Sequence, residues 1–228
     1  ITKPALDSFN KQKDFIADAS HELKTPLAVI IASSDELKED KKNKKYIENI
    51  KYESERMNKL ISSLLDLSTI ESGTTKDSFK EENISKITEK TCLIFESIAY
   101  EQEINIDTNI EKNIMFKCNK DEIERVISII IDNAIKHSTK SSTIKVNMSK
   151  IKNTINLEII NNGEGIIEGE EEKIFERFYR GDKSRNRSEN RYGLGLAIAK
   201  NIVINHNGNI EAFSKNGLTT FKISFKNK

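Results

Sequence analysis

The sequence predicts two structural classes in succession. An all-α helical hairpin, pairing into a dimeric four-helix bundle, comes first; an α/β sandwich, a mixed sheet covered by helices, follows. Three observations carry this. Apolar residues recur every seven positions through Phe9, Ile16, Leu23, Ile30 and Leu37, the seam of a packed helix. The period returns after a short charged break and runs to Ile70. Later still, short alternating runs are interleaved with amphipathic ones, as in strands packed under helices.

The first helix is expected over residues 2–38, with Leu6, Ser20 and Leu27 on the interleaved seam positions. Residues 39–45, rich in lysine, read as a solvated turn. From Tyr46 the residues Ile47, Ile50, Met57, Leu60, Ile61, Leu64 and Leu67 rebuild the stripe. Two long amphipathic helices on a short turn make an antiparallel hairpin. One hairpin cannot bury both stripes, so two pair into a four-helix bundle and a homodimer is expected. Glu71 to Ser78 is small, polar and aperiodic, and reads as an interdomain linker. The expected division is therefore 1–70, 71–78 and 79–228.

In the last part, helices are expected at 84–100, 120–138 and 193–206. Strands are expected at 103–108, 113–117, 143–150, 154–161, 209–214 and 219–225, with Lys152-Asn153 as a hairpin tip.

The 228 residues suffice for one large or two modest domains. Lysines and arginines number 37 against 36 acidic residues, a net charge of +1. Nothing global points to nucleic acid or to an anionic membrane surface. No apolar run approaches the roughly eighteen residues of a membrane helix, and no signal-peptide pattern is present. The chain opens on Ile1, which reads as an excised portion of something longer, without direct membrane contact of its own. Cys92 and Cys118 lack the paired spacing of zinc sites and read as reduced interior thiols.

His21 follows the seam position Ser20, so its Cβ points to the rim of the stripe, half packed and reachable from solvent. Ala17 and Thr25 lie one turn either side on the same face, leaving room for a bulky partner. Pro26 lacks an N–H, so the carbonyl of Glu22 loses its helical partner beneath the histidine. A lone histidine on a helix is usually surface decoration or a polar core residue. The whole string from Phe15 to Leu27, Phe-Ile-Ala-Asp-Ala-Ser-His-Glu-Leu-Lys-Thr-Pro-Leu, changes that balance. It resembles the H-box of two-component sensor histidine kinases at every defined position.

Three further motifs follow in order. Asp132-Asn133-Ala134-Ile135-Lys136-His137-Ser138 ends a predicted helix and puts Asn133, Lys136 and His137 on one face. An amide oxygen suits a Mg²⁺ ion that keeps its waters and phosphate ligands, and an ammonium nearby can neutralise phosphate charge. A polar helix end reads equally well in isolation. Asn161-Asn162-Gly163-Glu164-Gly165-Ile166 leaves a strand, its glycines letting backbone approach a planar ligand. Tyr192-Gly193-Leu194-Gly195-Leu196 opens a helix, whose N-terminal amides form an anion site suited to phosphates.

Together these resemble the N, G1 and G2 boxes of the histidine-kinase ATP-binding domain, a Bergerat-type fold. Phe175-Glu176-Arg177-Phe178-Tyr179-Arg180 is similar to the family's F-box. The polar, basic tract from Gly181 to Arg191 suits a mobile lid, although a solvated charged loop is an equally simple reading. The resemblance implies an ATP- and Mg²⁺-dependent autokinase. It places Asn133 at the metal, Asn161 at adenine, and Lys136, His137, Gly163, Gly165, Ile166, Phe178, Arg180, Gly193, Leu194, Gly195 and Leu196 around the nucleotide. It implies phosphorylation of His21, with Glu22 as base or orienter, then transfer to an aspartate of a response-regulator receiver domain. Thr25 matches the position that orients water for dephosphorylating the regulator. The implied setting is the cytoplasmic portion of a membrane-anchored bacterial sensor.

The sequence departs from the family pattern at Asn161, where an aspartate is usual, and at Ile129, where the N-box commonly begins with another asparagine. Loss of charge assistance at Asn161 is worth about 1–2 kcal/mol, roughly tenfold in affinity. Asn190-Arg191-Tyr192 stands where glycine is often found. A non-catalytic dimeric scaffold and a chaperone-type ATPase are the competing readings. The second leaves His21 unexplained.

Overall fold

The computed structural model describes residues 3–39, 44–71, 78–181 and 192–227, with side chains from Phe15 onward except at 17, 38 and 39. Of the expected turn at 39–45, linker at 71–78 and lid at 181–191, residues 40–43, 72–77 and 182–191 lie outside the described residues, as do the side chains of Leu6, Phe9 and Ala17; residues 39, 44, 45 and 71 are helical.

Helices α1 (Lys3–Glu39) and α2 (Lys44–Glu71) form the hairpin. Helix α1 runs through Pro26, whose ring is buried. The missing N–H therefore weakens one turn without breaking the helix. Leu60 and Leu67 of α2 are sealed, whereas Ile16 and Leu27, two of the predicted seam residues, are about half exposed at 57% and 46%. Within a single chain, part of the stripe is left without a partner.

The α/β part begins with strand β1 (Lys80–Asn83), which the sequence reading missed. Its four residues, Lys-Glu-Glu-Asn, carry no apolar alternation, so no periodic signal marked them. It continues with α3 (Ile84–Glu101), β2 (Asn105–Ile110), β3 (Met115–Cys118), α4 (Lys120–His137), β4 (Thr143–Ile151) and β5 (Thr154–Asn162). A 3-10 turn at Lys173–Phe175 precedes α5 (Gly195–Asn205), β6 (Gly208–Lys215) and β7 (Leu218–Lys226).

Strands β1 and β3 pair antiparallel as a small separate ribbon, and the main sheet has the order β2-β4-β5-β7-β6. Only β2 and β4 run parallel, so the sheet is mixed as expected. Alternation fixes which face is covered. Ile144, Val146 and Met148 of β4 and Ile155, Leu157 and Ile159 of β5 are buried, successive even or odd positions of a pleated strand. Helices α3, α4 and α5 lie over that face, with Ile127, Ile130 and Ile131 of α4 fully enclosed.

Local signals set the helix ends. The Asn83 side chain accepts from the Lys86 N–H at 3.1 Å, capping α3. Asn119 accepts from the N–H groups of Asp121 and Glu122 at 3.0 and 3.2 Å, capping α4. Cys92 and Cys118 are free, buried thiols, pushed by burial up to about 11 and about 12. Among the described residues, no helix is long and apolar enough to cross a membrane.

Candidate functional site

A cavity of about 1380 Å³ opens where the end of α4, the loop after β5, the start of α5 and one face of α2 converge. Helix α4 delivers Asn133, Lys136 and His137 to its wall together, as the i, i+3, i+4 spacing requires. The Lys136 ammonium is already paired with the Asp132 carboxylate one turn earlier. Its charge is therefore shared with a carboxylate inside the same wall.

The end of β5 and the loop after it bring Asn161, Glu164, Gly165 and Ile166 to the cavity. Asn161 is 1% exposed, and its carboxamide nitrogen is buried without a hydrogen-bond partner. Such a group is costly unless something in the cavity accepts from it. Ile166 donates its N–H to Ser214 Oγ at 2.8 Å, tying this loop to β6. Ser214 in turn meets Thr219 Oγ1 at 2.9 Å.

Gly163 is not part of the cavity wall, contrary to the expectation of a nucleotide contact. A Cβ there would lie 1.8 Å from the carbonyl oxygen of His137. Glycine is needed because β5 crosses the last turn of α4, where Ser138 and Gly163 form a β-bridge. This crossing joins the two motifs.

Helix α5 starts at Gly195, two residues later than expected, and Leu194 supplies no side-chain cap. The first amides of α5 stand uncapped beside a wall that includes Gly193, Leu194, Gly195 and Leu196, an arrangement that favours an anion. Gly193 has φ +67°, and a Cβ on it would come within 2.5 Å of the Tyr179 carbonyl. Close packing on the preceding 178–179 turn therefore demands glycine. Ile129, which replaces a polar residue of the family pattern, would touch a Cβ on Gly195 at 3.4 Å. It supplies packing under the turn.

Arg180 reaches the cavity with a buried guanidinium nitrogen that has no partner. Phe178 does not reach the cavity. It has φ +61° and faces α1, its ring centroid 6.0 Å from that of Phe15.

Sequence reasoning missed the contribution of α2. Glu55, Asn58, Lys59, Ser62 and Ser63 line the cavity, and polar residues off an apolar stripe carry no spacing signal of such a role. Thr219 and Phe221 of β7 were missed as well. Only the strand register, which sets Asn161 opposite Thr219, brings them there.

Several contacts hold the hairpin against this site. Arg177 places its guanidinium 4.6 Å from the Phe15 ring centroid and pairs with Glu71. Arg125 meets Asp66 at 2.6 Å, and Asn205 donates to the Ile70 carbonyl at 2.8 Å. On α1, His21 is exposed, as its rim position predicts, and Glu22 is half-buried. Thr25 is exposed, and its hydroxyl reaches back to the His21 carbonyl at 3.5 Å. The electrostatic influence of Glu22 extends to Tyr192, the residue before Gly193.

The residues present fit a nucleoside triphosphate. The cavity is large enough, Asn161 stands in its wall, and the uncapped amides of α5 and Arg180 offer anion contacts. Among the described residues, no group of three or more His, Cys, Asp or Glu side chains forms a metal cage.

Comparison with known proteins agrees with this geometry. Residues 11–73 match the His Kinase A (phospho-acceptor) domain, and residues 118–228 match the histidine kinase-, DNA gyrase B- and HSP90-like ATPase family. The sensor protein DltS of Streptococcus agalactiae is 34% identical over 215 residues, 94% of this chain and 54% of DltS. The signal transduction histidine-protein kinase ArlS of Staphylococcus aureus is 36% identical over 225 residues, 96% of this chain and 50% of ArlS. The chain thus spans about half the length of the curated relatives it matches. Among solved structures, the Acinetobacter baumannii histidine kinase AdeS superposes with a TM-score of 0.73 at 22% identity, covering 90% of this chain and 97% of that one. Histidine kinase ThkA, solved with the response regulator TrrA, gives 0.70 at 20% identity, covering 97% and 64%. With a phosphoacceptor-type hairpin ahead of a kinase-type ATPase fold, the chain belongs to the sensor histidine kinases.

Proposed function

We propose that this chain uses ATP·Mg²⁺ to phosphorylate its own His21 and passes the group to an aspartate on a response-regulator receiver domain. The observation that carries this reading is the shared wall of the cavity. One face of α2, in the same hairpin as the exposed His21, closes a pocket that contains an orphaned, buried Asn161 amide. ThkA, solved with a response regulator, supports the partner class by its likeness in fold.

Each residue acts in a definable way. Asn161 orients the base by hydrogen bonding, and the amides from Gly193 to Leu196, with Arg180, hold the phosphates. Asn133 offers its amide oxygen toward the metal, and Lys136 and His137 flank it. Bound ATP supplies the transferable phosphoryl group. The exposed imidazole of His21 attacks through a neutral nitrogen, and Glu22 orients the ring and holds its proton. Because phosphoryl transfer depends chiefly on positioning and charge neutralisation, apposition of hairpin and cavity is itself the catalytic device.

Thr25 is proposed to position water when the regulator is dephosphorylated. The exposed apolar seam at Ile16 and Leu27 is proposed to be covered by a second copy, completing a four-helix bundle. The proposed division keeps a hairpin domain (1–70), a linker (71–78) and a catalytic domain (79–228). The whole protein is proposed to be a membrane-anchored bacterial sensor with this portion in the cytoplasm.

The test is incubation with γ-labelled ATP and Mg²⁺. Acid-labile label on the wild-type chain and none on His21→Gln is expected. Label persisting in His21→Gln would defeat the assignment.

A further inference from the structure

We infer that Lys59 of α2 is a phosphate ligand of the nucleotide cavity, a cation that the hairpin supplies to the polyphosphate of the bound nucleotide. The inference rests on the cavity being a nucleotide site and adds to it a residue from outside the ATPase fold.

Position comes first. Arg125 of α4 meets Asp66 of α2 at 2.6 Å and joins the two helices beside the cavity, whose wall includes neither residue. From that pair α2 leads back through Ser63 and Ser62 to Lys59, and α4 leads forward through Ile129 to Asp132 and Asn133. All of these line the cavity. Lys59 is seven residues from Asp66, and Asp132 is seven from Arg125. Each interval is two turns, about 10 Å along its helix. Lys59 therefore enters the wall at the depth of Asp132 and Asn133.

The hairpin sets a second relation. His21 lies 18 residues before the last residue of α1, and Ser62 lies 18 residues after the first residue of α2. In an antiparallel hairpin those two positions share one level. Lys59 is one turn from that level, so α2 presents its ammonium near the height of the phosphoacceptor candidate.

Charge singles out this lysine. Glu55, Asp132, Glu164 and Glu170 bring four carboxylates to the wall, against the three cations Lys59, Lys136 and Arg180. A polyphosphate requires the opposite balance. Lys136 is already paired with Asp132. Lys59 is exposed, and its ammonium makes no hydrogen bond or ion pair with any described residue. A lysine is a point charge on a flexible stem, and it suits a phosphate oxygen that other groups have already placed. On an outer helix face such a side chain is simply solvated; in a wall short of positive charge it has an anion to meet.

The experiment is calorimetric titration of the chain with β,γ-imido-ATP and Mg²⁺, on wild type, Lys59→Met and Lys59→Arg. Methionine keeps most of the stem and removes the charge, whereas arginine keeps the charge. Lys59→Met is expected to bind about tenfold more weakly, the scale of one hydrogen bond to a charged group. Lys59→Arg is expected to stay within about threefold of wild type, because a point charge rather than a shape is being read. A loss below about threefold in Lys59→Met would overturn the inference. So would a Lys59→Arg chain as weak as Lys59→Met, since a need for the lysine stem alone does not involve the charge. Absence of binding by the wild type would remove the nucleotide-site reading itself, an outcome distinct from a loss confined to Lys59→Met.

Discussion

The guanidinium of Arg56 lies 5.7 Å from the centroid of the Tyr192 ring, joining α2 to the residue before the Gly193 turn. The same guanidinium holds Glu53 by two hydrogen bonds, at 2.9 and 3.2 Å, and both side chains are nearly nine-tenths buried. Tyr192 is itself 5% exposed, and burial raises its hydroxyl above the ordinary tyrosine range. The hairpin and the Gly193 turn of the cavity therefore share one packed cluster.

Arg56→Ala removes the cation and strands the Glu53 carboxylate. A loss of about 2–4 kcal/mol in urea unfolding is expected, discounted slightly for residual exposure. The double variant Arg56→Met, Glu53→Gln is expected to recover more than half of it, since no charge is left buried. Equal losses in the single and double variants would contradict this account.

Gly163→Ala forces a methyl group onto the His137 carbonyl. Destabilisation of about 2–4 kcal/mol, or failure to accumulate as folded protein, is expected because both partners are backbone and cannot move aside. Gly181→Ala, where an added Cβ would meet no described atom within 4 Å, serves as the control and is expected to be close to neutral. Thermal denaturation of the two variants side by side checks the contrast.

His206 predicts a pH dependence of stability. Its Nε2 accepts the Asn119 N–H at 3.2 Å, and its Nδ1 lies 2.9 Å from the Ile202 carbonyl, which requires the proton on Nδ1. The ring stacks on Phe79 at 4.4 Å, with Glu122 3.8 Å away as the charged neighbour. Burial lowers its pKa below the ordinary histidine value, against smaller opposing effects from Ile202 and Glu122. As pH falls, the unfolded chain takes up this proton first. The His206 contribution is therefore complete above about pH 6.5 and declines as pH drops through that value toward the folded pKa. Denaturation midpoints at pH 7.5 and 5.5 measure the drop, and His206→Gln is expected to flatten it.

Thr25→Ala is expected to leave the fold intact, because its hydroxyl makes only a 3.5 Å contact to the His21 carbonyl on an exposed face. Under the proposed role, labelling of His21 persists and dephosphorylation of the cognate regulator falls by at least about tenfold, the scale of a lost water-positioning contact. Unchanged dephosphorylation would remove Thr25 from that role.

Pro26→Ala restores the N–H that the Glu22 carbonyl lacks. A shifted ratio of autokinase to phosphatase activity is expected, read on the same preparation. An unchanged ratio would show that the weakened turn has no part in docking.

Periodicity alone determined the two classes of structure, the hairpin and nearly every strand and helix, because burial of one face writes itself into spacing along the chain. It also set His21 on an exposed rim and grouped Asn133, Lys136 and His137, since these relations are local to one helix. Strand β1 escaped because Lys-Glu-Glu-Asn has no apolar face to announce it. Everything that depends on two distant segments meeting was decided by tertiary structure. Gly163 proved to be glycine for the sake of the His137 carbonyl, Phe178 turned toward Phe15, and α2 supplied a wall of the cavity. Such contacts arise from chain crossings and register, and no single segment carries a periodic trace of the neighbour it will meet.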